Sequence, residues 1–170
     1  LAMNAGSYGN SVFESGIVSK IYSYNFKNKS ISITNPDDLN YGYRLVEGLE
    51  DEFIYKVELT FNLDDSKLIK DKHTEYLLHR KETQPSGKYN AGSVFKNPPG
   101  NFAGELIENA GLKGYSVGSV SISEKHANFF IAEKNAKSTD LYNLVQHVKG
   151  IIEENFSVSL EEEIRFVGEF

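Results

Sequence analysis

A chain of 170 residues with 39% hydrophobic and 25% charged positions has the make-up of a globular protein, one ordinary domain or two small ones, and not that of a disordered segment. Its net charge of −6, with Lys and Arg scattered among acids, speaks against non-specific nucleic-acid binding, which needs a basic face. The absence of cysteine excludes disulfides, thiolate metal sites and a cysteine nucleophile, and no apolar run reaches membrane-spanning length, so a cytoplasmic protein with no membrane partner is expected.

Asn4 to Ser15 is small and polar and reads as loop. From Ile17 the pattern becomes two-fold. Val18, Tyr22, Tyr24 and Phe26 share one face of a strand, Lys27-Asn28-Lys29 turns the chain, and Ile31 and Ile33 return in a second strand. Asn35-Pro36-Asp37-Asp38 is a further turn. Phe53, Tyr55, Val57, Leu59, Phe61 and Leu63 then alternate with Lys56, Glu58 and Thr60, predicting a strand with one wet face. Ahead of it stands Arg44 among Tyr41 and Tyr43, a pattern that by itself describes surface packing or a cation–π pair. Ser66 to Glu82 reads as a helix. Its His73 and His79 are six apart, do not share a helix face and make a poor metal pair.

A turn-rich stretch follows, Y-N-A-G-S-V-F-K-N-P-P-G-N-F from Tyr89 to Phe102. Gly92 frees the backbone there, and Pro98-Pro99-Gly100 stops any helix or inner strand. Asn101 is placed to cap a helix carrying Leu106, Ile107 and Ala110, with Gly111 as its stop. Tyr115–Ser123 and Ala127–Glu133 read as strands on either side of Glu124-Lys125-His126. Ser138 is placed to cap a second helix with an apolar stripe of Leu141, Leu144, Val145, Val148, Ile152 and Phe156. Val158, Leu160, Ile164, Phe166 and Val167 predict a terminal strand, and Glu161-Glu162-Glu163 inside it reads as a solvated acidic run. Strands come first, then helix–strand–strand–helix–strand. The fold class is therefore α+β in two units.

The block G-S-V-F-K-N-P-P-G-N-F-A-G-E-L-I-E-N-A-G-L-K-G, Gly92 to Gly114, resembles the signature of the UDP-N-acetylenolpyruvoylglucosamine reductase family, flavoenzymes of bacterial cell-wall precursor synthesis. V-S-I-S-E-K-H-A-N-F-F-I (Val120 to Ile131) and E-E-I-R-F-V-G-E (Glu162 to Glu169) continue the likeness in the family's order. The resemblance implies the remainder of a β-rich FAD-binding domain over 1–70 and a two-layer α/β substrate-binding C-terminal domain over 71–170. It also implies that a flavin-binding N-terminal lobe precedes the L-A-M-N-A-G-S-Y-G start and is not in this sequence.

What that family does sets the remaining expectations. It converts UDP-N-acetylglucosamine enolpyruvate to UDP-N-acetylmuramate, with NADPH reducing FAD and the flavin passing a hydride on. By resemblance Ser93 is the proton donor, Arg44 the neutraliser of the enolate-like charge and Glu163 the acid that orients the carboxylate. Asn4, Ala5, Gly6, Tyr8 and Gly9 would face the flavin. Tyr43, Lys96, Asn97, His126 and Asn128 would lie near the UDP-sugar, and no metal is required. Two positions depart from the pattern. Val46 stands where the family has a serine after the arginine, and Thr83 stands where a phosphate-binding lysine is common, with Lys81 or Lys88 as substitutes. These losses, with the missing lobe, leave open a non-catalytic nucleotide-sugar-binding or structural module, and the chain by itself is expected to be inactive.

Overall fold

The structure is a computed structural model that describes residues 1–7 and 10–169, with only the backbone described for Ser7 and Asn10. The flavin-facing expectations for Tyr8 and Gly9 therefore lie outside the described residues. The chain divides after Asp65 into two compact units, Leu1–Asp65 and Ser66–Phe170, so the long helix expected at the seam belongs wholly to the second.

The first unit is β-rich. Gly6–Ser7 (β1) pairs with Asn10–Ser11 (β2), so the opening stretch read as loop holds a short hairpin. Val18–Asn25 (β3) runs antiparallel to Ser30–Thr34 (β4). The Asn25 side chain shapes the turn between them by accepting the Lys27 and Asn28 N–H groups. A 3₁₀ turn at Pro36–Asp38 leads to Asn40–Gly42 (β5) and Leu45–Glu47 (β6), a separate two-stranded hairpin. Glu52–Leu59 (β7) lies on the other side of β3, giving the sheet order β4-β3-β7.

The apolar alternation places Val18 and Val57 with the core but assigns Tyr22, Tyr24, Phe53 and Tyr55 to the same faces as these two, which the structure does not keep. β3 and β7 shift register between Val18 and Lys20 and again between Tyr22 and Ser23. Each shift changes the phase of the side chains, because a one-residue slip sends the following residues to the opposite face. Ile21 and Ser23 end up fully buried, and Ile54 and Val57 pack against a small core of Phe13, Val18, Val46 and Leu49. Burying Ile21 alone is worth about 1.5–3 kcal/mol. On the opposite face Tyr24 sits across from both Ile31 and Phe53, and Phe26 meets the Tyr24 ring edge-on at 5.2 Å. Ile31, Ile33, Phe53 and Tyr55 on these strands stay half-exposed or more.

In the second unit Ser66–Thr83 (α1) forms as expected, yet none of its residues is buried. Ala103–Asn109 (α2), the hairpin of Ser116–Val117 (β8) with Val120–Ile122 (β9), Phe130–Ala132 (β10) and Ser138–Phe156 (α3) make up the rest. The sheet order is β10-β9-β8, with α3 packed against β8 and β9 and α2 against α3. Ile107, Ile122, Leu144, Val145, Val148, Ile152 and Phe95 are fully buried between these elements. The single strand expected over Tyr115–Ser123 is thus folded into a hairpin.

Three local expectations are corrected. Asn101 does not cap α2: the side-chain Oδ1 of Asn97 accepts the Ala103 N–H at 3.1 Å, because Pro98-Pro99-Gly100 folds the chain back over the helix start. Ser138 is the first residue of α3, and Lys137 holds the cap position with an extended backbone and no side-chain cap bond. The terminal strand does not form. Residues 157–169 are irregular, joined to the rest by one isolated bridge, Phe95 with Glu162, while Ile164 and Phe166 pack against the core. Among the described residues no helix is long and apolar enough to cross a membrane.

Candidate functional site

Ser93 lies on a segment that extends the second unit's sheet without becoming a regular strand. On one side Tyr89 bridges Ala132 and Ser93 bridges Phe129; on the other Phe95 bridges Glu162. Gly92 enters this segment at φ 82°, a conformation that L side chains avoid. Two clamps then fix it. The Asn128 carbonyl accepts the Val94 N–H at 2.9 Å. The Asn128 side-chain amide accepts the Phe95 N–H at 2.9 Å and donates to the Phe95 carbonyl at 2.8 Å. From the other side the Glu163 N–H donates to the Val94 carbonyl at 2.8 Å, and the Lys96 N–H donates to Glu161 O at 2.9 Å. Ser93 and Glu163, far apart in sequence, are joined through the single Val94 peptide.

Beside this segment is a cleft of about 670 Å³ that Ser93, Asn97, His126 and Asn128 help to line, together with His79 and Thr83 of α1. Gly104 of α2 allows the close approach on that wall, since a Cβ there would meet the His126 ring at 3.3 Å. His126 is half-buried, tilted against the Phe129 ring at 4.7 Å, and its Nδ1 accepts the Asn128 N–H at 3.2 Å. Burial lowers its pKa, with the nearby Lys113 charge acting in the same direction against a backbone hydrogen bond and Glu108. A neutral imidazole whose Nδ1 accepts carries its proton on Nε2. Glu82, Glu105 and Glu108 also line the cleft, and the ammonium of its one lysine, Lys125, donates to the Lys81 carbonyl. Glu108 is itself ion-paired with Lys113 at 2.6 Å, so Glu82 and Glu105 carry most of the wall's negative charge.

The other expected site residues fall in varied places. Lys96 is ion-paired with Glu161 and is not part of the cleft wall. Asn97 lines the cleft while capping α2, and Thr83 donates its hydroxyl to the His79 carbonyl one turn back. Glu163 is half-buried and does not line the cleft. The three glutamates are not a solvated run: Glu161 pairs with Lys96, Glu162 with Lys149 at 2.9 Å, and Glu163 is hydrogen-bonded through its backbone to Val94. In the first unit Tyr43 and Arg44 form the two-residue loop of the β5–β6 hairpin. Arg44 has φ 55°, and its guanidinium lies 5.1 Å from the Tyr43 ring centroid.

The flavin-facing stretch gives a different picture. Asn4 is 1% exposed. Its Nδ2 donates to the Gly42 carbonyl at 2.9 Å and its Oδ1 accepts the Phe13 N–H at 3.2 Å. The Ala5 carbonyl accepts the Val12 N–H. These polar groups serve the unit's own backbone, while Ala5 and Gly6 are exposed. Among the described residues no group of three or more His, Asp or Glu side chains could hold a metal ion.

Sequence reasoning missed the clamp made by Asn128 and the acidic wall of Glu82, Glu105 and Glu108. The clamp has no local signature, because its partners are in sequence-distant segments. The wall was legible in principle, since Glu105 and Glu108 are three apart on one helix and share a face.

Fold and loop together define the class first: a mixed α/β protein in which a Gly/Pro-rich loop holds a serine at a polar cleft. A family model described as UDP-N-acetylenolpyruvoylglucosamine reductase, C-terminal domain, matches residues 84–167. The chain is 39% identical over 168 residues to the UDP-N-acetylenolpyruvoylglucosamine reductase of Coxiella burnetii (strain Dugway 5J108-111), covering 99% of this chain and 52% of that protein. It is 39% identical over 170 residues to the reductase of the same name from Caldanaerobacter subterraneus subsp. tengcongensis, covering 55% of it. The crystal structure of UDP-N-acetylenolpyruvylglucosamine reductase from Thermus caldophilus superposes with a TM-score of 0.81 at 30% identity, over 95% of this chain and 57% of that one. The chain belongs to the UDP-N-acetylenolpyruvoylglucosamine reductase family, and it spans about half the length of the curated relatives it matches.

Proposed function

We propose that this chain supplies the proton-donating and charge-handling groups of a reductase that turns UDP-N-acetylglucosamine enolpyruvate into UDP-N-acetylmuramate for peptidoglycan, with FAD and NADPH as cofactors. One observation carries the reading: Ser93 stands at a polar cleft on a segment clamped by Asn128 on one side and by the Glu163 N–H on the other. In such a reaction the flavin supplies the hydride, and the protein handles the charge and the proton.

A serine hydroxyl is a very weak acid, so it donates only to a strongly basic carbanion and only when held within hydrogen-bond reach. A clamped loop meets the second condition, because positioning error is costly at the reacting atom. Arg44 would neutralise the enolate-like charge, which a guanidinium does without changing protonation state. Glu163 would orient the substrate carboxylate. His126, with its proton on Nε2, would donate to a neutral acceptor of the sugar or base. The pyrophosphate would fall to groups outside the acidic cleft wall, with Lys96 and Tyr43 as candidates.

The test is Ser93→Ala in the flavin-loaded reductase. Substrate binding and flavin reduction by NADPH should be kept, while turnover falls at least about a hundredfold, the range for loss of a positioned acid. Unchanged turnover removes Ser93 from this role. A wild-type protein that binds the UDP-sugar but never reduces it would support a non-catalytic binding module instead.

A further inference from the structure

We propose that Asn4 is a positioning residue that sets the loop carrying Arg44, an inference that rests on the charge-neutralising role proposed for that arginine. The β5–β6 hairpin has three residues per strand and, among the described residues, belongs to no larger sheet. A lone two-stranded ribbon of this size does not hold its own position in water, so its placement depends on what fastens it. Phe13 stacks on Tyr41 at 4.9 Å and Val46 is buried in the unit's core, which holds the body of the hairpin. Asn4 holds its tip. The Nδ2–H···O bond ends on the carbonyl of Gly42, the residue paired with Leu45 across the base of the Tyr43–Arg44 loop.

Two features separate this bond from incidental packing. Asn4 is itself in the left-handed region at φ 43°, and Arg44 is there at φ 55°. Non-glycine residues keep that conformation only where the surroundings over-determine it. Asn4 is also a relay, since the same buried amide accepts the Phe13 N–H, so the Phe13–Tyr41 stack and the Gly42 carbonyl are fixed by one side chain. The direction of the Arg44 loop therefore follows from a residue forty positions earlier in the chain. An Asn at this place is required for its donor as well as its acceptor.

A double-mutant cycle in the flavin-loaded reductase tests this. Asn4→Asp keeps the acceptor for Phe13 and loses the donor to Gly42. It should lower kcat about 10- to 100-fold, the scale for a misplaced charge-stabilising group, with KM for NADPH unchanged. In an Arg44→Ala background the same substitution should cost less than about twofold, because contacting groups that act as one unit are not additive. Equal loss in both backgrounds, or no loss in either, overturns the inference while leaving the proposed function intact. If Arg44→Ala by itself leaves kcat unchanged, the role of Arg44 fails, and the positioning inference fails with it. Should Asn4→Asp not fold, Asn4→Gly replaces it, since glycine accepts the backbone at φ 43° while removing both side-chain bonds. Amide exchange in the chain alone gives a second reading: Arg44 and Leu45 should exchange about tenfold faster in either variant, with the β3 amides unaffected. Unchanged exchange at the loop overturns the proposal.

Discussion

Asn128→Ala is the sharpest test of how the serine loop is built. Asn128 is 3% exposed and Phe95 is fully buried; the N–H and carbonyl of Phe95 both terminate on the Asn128 side-chain amide. The neighbouring bridge to Glu162 does not serve them, because its bonds run from the Lys96 N–H to Glu161 O and from the Glu163 N–H to Val94 O. Truncation therefore orphans one donor and one acceptor in a dry site. At about 1–3 kcal/mol for each of the two unsatisfied groups, the expected loss is about 2–6 kcal/mol, less whatever water recovers. That is a large part of the roughly 5–15 kcal/mol that holds a domain together. Urea denaturation of the chain should show the midpoint falling at unchanged slope. Asn128→Asp adds a signed control. Its carboxylate can accept the Phe95 N–H but faces the Phe95 carbonyl, so burial and that carbonyl favour the protonated form and raise its pKa in the folded state. The folded variant then binds a proton more tightly than the unfolded one, so its stability relative to wild type should rise as pH falls from 7 to 5. A loss below about 1 kcal/mol in Asn128→Ala, or a variant pH slope parallel to wild type in Asn128→Asp, would refute this account.

Two further outcomes follow from other parts of the structure. Ser157 ends α3 at φ 54°, with its N–H donating to the Glu153 carbonyl, so Ser157→Gly should stabilise the chain by about 0.5–1 kcal/mol, read as a higher midpoint in thermal melts. His126 has its pKa lowered by burial, so the unfolded chain takes up its proton first as pH falls. Stability should therefore decline as pH drops below the ordinary value of 6.5, and His126→Gln should flatten that limb; an unchanged profile would show that the imidazole stays hydrated.

The helices were the most legible elements. α1 carries a long run free of Gly and Pro, and α3 a sustained apolar stripe that Gly150 does not interrupt, so their limits fall within a residue or two of those read from the sequence. The strands were not, and the reason is specific. One register shift puts an extra residue, Ser19, into β3 and so exchanges its faces after Val18: Tyr22 and Tyr24, which the alternation groups with Val18, leave the core to Ile21 and Ser23, while the second shift puts its extra residue, Tyr55, into β7. Period-two reasoning has no sign for a bulge. Caps failed in a similar way: Asn101 looked adjacent to the helix, but Asn97 reaches it through the proline turn. At the site, the resemblance singled out Ser93 and Glu163, while the hydrogen bond through Val94 that links them is a tertiary fact. The same holds for Asn4, whose buried amide bonds residues far along the chain.

The three consecutive glutamates near the end of the chain give this protein an uneven sensitivity to salt. Glu161 is 72% exposed where it meets Lys96, so dissolved ions should screen that contact readily. Glu162 is different. Burial pushes its carboxyl up, but hydrogen bonds from Lys149 and a backbone N–H, with the Lys149 charge, outweigh that and hold it below the usual carboxylate range. The third grips by its main chain, to which ionic strength is nearly indifferent. Brine should thus free the Lys96 side chain from Glu161 first, while the main-chain bond from the Lys96 N–H to Glu161 O and the pairing of Glu162 with α3 keep the tail in place.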